Sequence, residues 1–142
     1  MLRAVLDTNV IVSGTILSTG PPAEILDAWR ERQFDLIIGP TILSELDRVL
    51  RLPKIARVYA VGPQDVDDLL TLLSSRALVA GKGRTVSAPL RDPKDNPILT
   101  YALESHADYV VTGDHDLLVL ERFQEIPIVS PAAFAALLKT NT

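Results

Sequence analysis

The chain has 142 residues, 47% of them hydrophobic, with no cysteine and two histidines. That is enough for one domain with a real core; disulfides are excluded, and a structural or His-rich zinc site is disfavoured. The net charge of −4 argues against a generic nucleic-acid binder, although acids gathered in one site can dominate such a total.

Only 5% of residues are aromatic, so aliphatic packing must build the core. No apolar run reaches roughly 18 residues, so no membrane span is expected. Met1 is followed at once by strand-like sequence. That leaves no room for a signal peptide, and a cytoplasmic protein is the expectation. Eighteen carboxylates without Cys or His clusters point to hard cations, if any metal is used.

Leu2–Leu6 reads as a short buried strand that runs directly into Asp7, Thr8 and Asn9. Asn9–Leu17 and Pro22–Arg32 read as helices, with Pro22 near the second start. "FDLIIG" is a second strand, ended by Gly39. Pro40–Leu52 is an amphipathic helix with Ile42, Leu43, Leu46, Val49 and Leu50 on one stripe, closed by Pro53. "GPQDVDDLLTLLSS" is another helix, its Asp65, Asp67 and Asp68 suited to the positive N-terminal end. "ALVA" reads as a third strand and Lys82–Pro89 as a loop. A helix from about Asp95 to Ser105, the strand Tyr109–Thr112, a helix near Leu117–Arg122, the strand "IPIVS" and a helix over Pro131–Lys139 complete the chain. The whole of 1–139 reads as one domain, with 140–142 as a short tail.

Strands buried on both faces and separated by helices predict a parallel sheet with helices on each side. Ligands in such sheets bind beyond the carboxyl ends of the strands, where strand order reverses. Asp7 ends the first strand, and Asp114 and Asp116 follow "DYVVTG" at the end of a later one. Asp95 lies three, four and seven residues before Ile98, Leu99 and Ala102, in line with the buried face of its helix. Glu45 borders the apolar stripe, three residues after Ile42 and four before Val49.

Each acid also has a plain structural reading. Asp7 and Asn9 suit a helix cap, Asp95 suits a helix dipole, Glu45 suits a solvated flank, and "TGDHD" suits a turn. His106 and His115 read as ordinary surface or turn residues and are assigned no role. The joint placement of the acids is harder to explain that way. Two carboxylates about 5 Å apart repel by roughly 3 kcal/mol at an effective dielectric near 20. Four together require protonation or a cation. Hard oxygen ligands suit Mg²⁺ or Mn²⁺, and the chemistry that follows is phosphodiester hydrolysis.

The stretches "LDTNVIVSG", "PTILSELDRVL", "RDPKDNPILTYAL" and "ADYVVTGDHDLL" together resemble a PIN domain, particularly the bacterial toxin-like group that includes VapC ribonucleases. The resemblance covers nearly the whole chain, in the family's order. It implies a three-layer α/β/α sandwich with a central, mostly parallel sheet of about five strands. It also implies a Mg²⁺- or Mn²⁺-dependent endoribonuclease, an RNA substrate, a possible cognate antitoxin and a homodimer. Carried over residue by residue, Asp7, Glu45, Asp95 and Asp114 are the catalytic and metal-binding acids, and Asp116 is an auxiliary metal ligand. Thr8 or Asn9 would hold the first acid, and Thr112 sits where the family places a hydroxyl near the metal. "DPKD" offers Asp92 as well as Asp95, and the helical spacing favours Asp95.

Arg48, Arg51, Lys54 and Arg57 recur every third residue beyond Glu45, and Lys82, Arg84, Arg91 and Lys94 surround the loop before Asp95. These groups could take RNA phosphates or form a solvated face. Two other functions compete with the ribonuclease reading. A phosphate-monoester hydrolase would want a second acid at position 9, where Asn9 stands. A non-catalytic binding domain would have no need of every acid.

Overall fold

The computed structural model describes residues 1–81 and 96–140. In chain order the elements are β1 (Arg3–Leu6), α1 (Thr8–Ile16), α2 (Pro21–Arg30), β2 (Asp35–Ile38), α3 (Pro40–Leu50), α4 (Pro53–Val58) and α5 (Pro63–Arg76). There follow β3 (Leu78–Val79), α6 (Pro97–Glu104), β4 (Tyr109–Val111), α7 (His115–Leu118), β5 (Arg122–Phe123), β6 (Ile126–Val129) and α8 (Pro131–Thr140).

The strands form one sheet in the order β3-β2-β1-β4-β6-β5. All pairings are parallel except β5 with β6. β1, β2 and β4 are short aliphatic runs whose central residues are wholly buried, as a sheet covered on both faces requires. From β1 the chain moves outward through β2 to β3, then returns to the other side of β1 for β4. The strand order therefore reverses between β1 and β4, and their carboxyl ends lie side by side, with Leu6 in register with Val111.

Helices flank this sheet. α6 packs across β4, β1 and β2, while α2 lies against α1 and α8, and α3 against α1, α4 and α5. α1 is buried on most sides because α2 closes on it at Gly14, where a Cβ would meet the Pro22 carbonyl oxygen and the Leu26 side chain. Phe134 of α8 stands edge-on to Phe34, with ring centroids 5.2 Å apart. Trp29 is in this core, its ring lying 5.2 Å from the Arg76 guanidinium carbon.

Three sequence expectations are corrected. The sheet has six strands instead of about five, because Arg122–Phe123 folds back on Ile126–Pro127 through a tight turn in which Gln124 adopts a positive φ. A helix near Leu117–Arg122 is replaced by a shorter α7 that starts earlier, at His115, because Asp114 caps it by accepting the Asp116 amide at 2.9 Å. Pro53 does not only end α3; it occupies the first turn of α4, where a missing N–H costs nothing.

Candidate active site

Beyond the carboxyl ends of β1 and β4 a cavity of about 210 Å³ is lined by Asp7, Thr8, Asn9, Thr41, Ile42, Glu45, Asn96, Pro97, Ile98 and Asp114. It occupies the place where reversal of strand order leaves a crevice. Three carboxylates face it, and among the described residues that line it there is no Lys, Arg or His.

Asp7 is held from several directions. Its backbone N–H continues the sheet to the Val111 carbonyl at 2.9 Å, and its carbonyl accepts from Val10 and Ile11 at the start of α1. Its side chain makes no capping bond to that helix. Asp7 Oδ2 instead accepts a 2.7 Å hydrogen bond from the hydroxyl of Thr112, which is wholly buried. The same Thr112 oxygen accepts the Asp114 amide at 3.0 Å, which leaves its proton directed at Asp7. Asp114 in turn accepts the Asp116 amide. The two strand ends are thus tied through one hydroxyl.

The electrostatics follow from that placement. Burial pushes the Asp7 carboxyl above the usual carboxylate range, since the charged form loses solvation. The Thr112 hydroxyl and the Thr8 amide oppose the rise, while the charges of Asp114 and Glu45 add to it. Asp7 is therefore a partly desolvated acid facing two like charges.

Such hard oxygen donors, with unbalanced negative charge, suit a divalent cation chemically. Among the described residues, however, no group of three His, Cys, Asp or Glu side chains closes a metal site by itself. The expected third acid, Asp95, lies outside the described residues, as do Asp92, Arg91, Lys94, Lys82 and Arg84.

Of the predicted site residues, Asp7, Thr8, Asn9, Glu45 and Asp114 line one cavity, and Thr112 lies beneath it. Asp116 is exposed and does not line it. Arg48, Lys54 and Arg57 are exposed and likewise outside its lining. Arg51 is held by Asp47 at 2.7 Å and by Asp67 of α5, so its guanidinium joins α3 to α5. Sequence reasoning missed Thr41 and Asn96. Both had a signal: Thr41 is one turn before Glu45 on the same helical face, and Asn96 precedes a proline at a helix start, where its side chain caps Ile98 N–H at 2.9 Å.

Comparison with known proteins gives consistent results. A family model described as PIN domain matches residues 3–116. An uncharacterized protein of Methanocaldococcus jannaschii, MJ1680, is 33% identical over 119 residues, which is 84% of this chain and 75% of that one. Among solved structures, that of VapBC2 from Rickettsia felis bound to a DNA fragment from their promoter contains a chain with a similar fold. Its TM-score is 0.55 at 17% identity, covering 91% of this chain and 98% of that chain.

Proposed function

The chain belongs to the PIN domain family, and from that premise we propose that it is a metal-dependent endoribonuclease acting through Asp7, Glu45, Asp95 and Asp114. PIN domains are generally nucleases and generally use divalent metals. One observation supports the reading above others. Asp7 and Asp114 come from the ends of adjacent strands at the reversal of strand order, share Thr112, and face Glu45 across one cavity.

In this reading Asp7, Glu45, Asp95 and Asp114 would hold Mg²⁺ or Mn²⁺, with Asp116 as an auxiliary acid. Such a cation, when bound, would polarise a phosphoryl oxygen and lower the pKa of a water. The protein's own part is positional. Thr112 donates to the Asp7 carboxylate, the amide of buried Thr8 bonds it as well, and exposed Asn9 lines the cavity. Phosphates of the RNA strand would be taken by the exposed Arg48 and Lys54, and by Arg91 and Lys94, which lie outside the described residues. Arg51, engaged by two aspartates, is the weakest member of that row.

A toxin role with a cognate antitoxin, and a homodimer, are part of the same proposal. The resemblance to VapC-type ribonucleases motivates both; the fold shared with a chain of the VapBC2 structure supports the antitoxin partner, and the homodimer rests on the resemblance alone. Incubation of the purified protein with labelled RNA and with a small phosphate ester, in Mn²⁺ and in EDTA, tests the reaction class. Mn²⁺-dependent cleavage of RNA with the ester untouched is expected. Hydrolysis of the ester alone would make the protein a phosphatase, and inertness toward both would leave a binding domain.

A further inference from the structure

The wall of the cavity that carries Glu45 begins at the first turn of α3, and that turn lacks a capping side chain of its own because its N-cap is Gly39. The missing cap is supplied from α6. Tyr101, almost fully buried, accepts the Thr41 N–H at 3.0 Å with its hydroxyl and donates to Thr41 Oγ1 at 2.8 Å. The amide and the hydroxyl oxygen of Thr41 therefore both meet a single oxygen. Gly39 makes the approach possible, since a Cβ there would clash with the Tyr101 ring carbons. Gly81, at positive φ, also lies against the ring edge.

Thr41 and Glu45 are four residues apart, on one face of α3, and both line the cavity. The first residues of α6, Asn96 to Ile98, line it as well. Tyr101 thus joins the two helices that enclose the acids. A buried tyrosine hydroxyl must find partners, and here both its donor and its acceptor are taken by the residue one turn before a site carboxylate.

We propose that Tyr101 is a positioning residue of the hydrolytic site: by clamping Thr41 at the start of α3, its hydroxyl sets the place of Glu45 relative to Asp7 and Asp114. This rests on the nuclease reading above. It makes a claim that reading does not: that loss of one hydroxyl outside the acid cluster acts through Glu45.

The test is a double-mutant cycle. Tyr101→Phe is made in the wild-type and Glu45→Gln backgrounds, with RNA cleavage measured where it persists and Mn²⁺ binding measured in all four proteins. In the wild-type background, Tyr101→Phe should lower kcat roughly 10- to 100-fold with little change in KM, as small misplacements of catalytic groups do. It should also weaken Mn²⁺ binding. In the Glu45→Gln background it should change Mn²⁺ binding no further. Thr41→Val should reproduce the effect and Thr41→Ser should not, and this pair decides the matter if Tyr101→Phe fails to fold. Equal losses in both backgrounds, or a Tyr101→Phe protein that matches wild type, would overturn the inference while leaving the nuclease reading intact. A wild-type protein that neither binds Mn²⁺ nor cuts RNA would overturn both.

Discussion

At Asp7 the fold sets burial and two neighbouring carboxylates against one hydroxyl and one amide, and burial is the largest influence. The folded-state pKa is raised above the unfolded value of about 3.9. Between those two values the native state holds more protons than the unfolded chain, so stability falls as pH rises through that window. At neutral pH, without a divalent cation, ionised Asp7 is a net cost to the fold. Asp7→Asn should therefore raise Tm at pH 7 in EDTA, and the gain should vanish below about pH 4, where the unfolded-state carboxyl is itself protonated. Mn²⁺ should raise the Tm of wild type but not of the variant, because a ligand of the native state stabilises it. Thermal unfolding at several pH values checks all three expectations; a variant less stable than wild type at pH 7 in EDTA would mean that Asp7 is kept for local structure.

Thr112 makes a second claim at this scale. Its hydroxyl is the sole acceptor given to the Asp114 amide among the described residues, and it donates to Asp7. Thr112→Val should destabilise by about 1–3 kcal/mol, the usual cost of leaving a buried polar partner unmet, and Thr112→Ser by much less. Denaturant midpoints of the two variants would show the difference. This hydroxyl was legible in the sequence only by resemblance, since nothing in "VVTG" alone says which way it points.

Among the elements, those with strong periodicity were readable and the short ones were not. α3 was predicted from its stripe, and Ile42, Leu46 and Leu50 are indeed its buried residues. α4 has no fully buried residue, so no apolar pattern announced it, and Pro53 read as a stop although it is equally a start. β5 is two residues long and exists through its pairing with β6, a tertiary fact that local sequence does not carry. The contact of α1 with α2 yields a further prediction. Gly14→Ala improves helix propensity by about 1 kcal/mol. Yet its Cβ would meet backbone at Pro22 and the Leu26 side chain. Overpacking of this kind costs about 1–3 kcal/mol, so a net loss of stability is expected in urea unfolding. A gain would show that α2 can shift away from α1 cheaply.

Over the whole molecule, the reversal of strand order between β1 and β4 gives the acids their common place. A parallel sheet with Asp7 and Asp114 at strand carboxyl ends was inferable from alternating strands and helices; the strand order that sets β1 beside β4 was not. What the sequence could not supply was the third dimension of the wall: Glu45 read as a solvated flank as readily as a site acid until α3 was seen to line the cavity with it. Charge is also a property of this scale. The chain is acidic overall, so any RNA affinity must come from local basic groups. Replacing Arg48 and Lys54 with Gln should weaken RNA binding and flatten its dependence on salt, because fewer counterions are released. An unchanged salt slope would assign both residues to a solvated face.

The central claim is that the Asp7 carboxylate, tied to the end of β4 through the Thr112 hydroxyl, is part of a hydrolytic centre. Single-turnover cleavage of labelled RNA in Mn²⁺ by wild type and Asp7→Asn, each shown to be folded by its unfolding transition, tests it most directly. Asparagine keeps the size of aspartate and the oxygen that can accept from Thr112, so the fold should persist while cleavage is abolished. Cleavage by a folded Asp7→Asn protein at the wild-type rate would contradict the account.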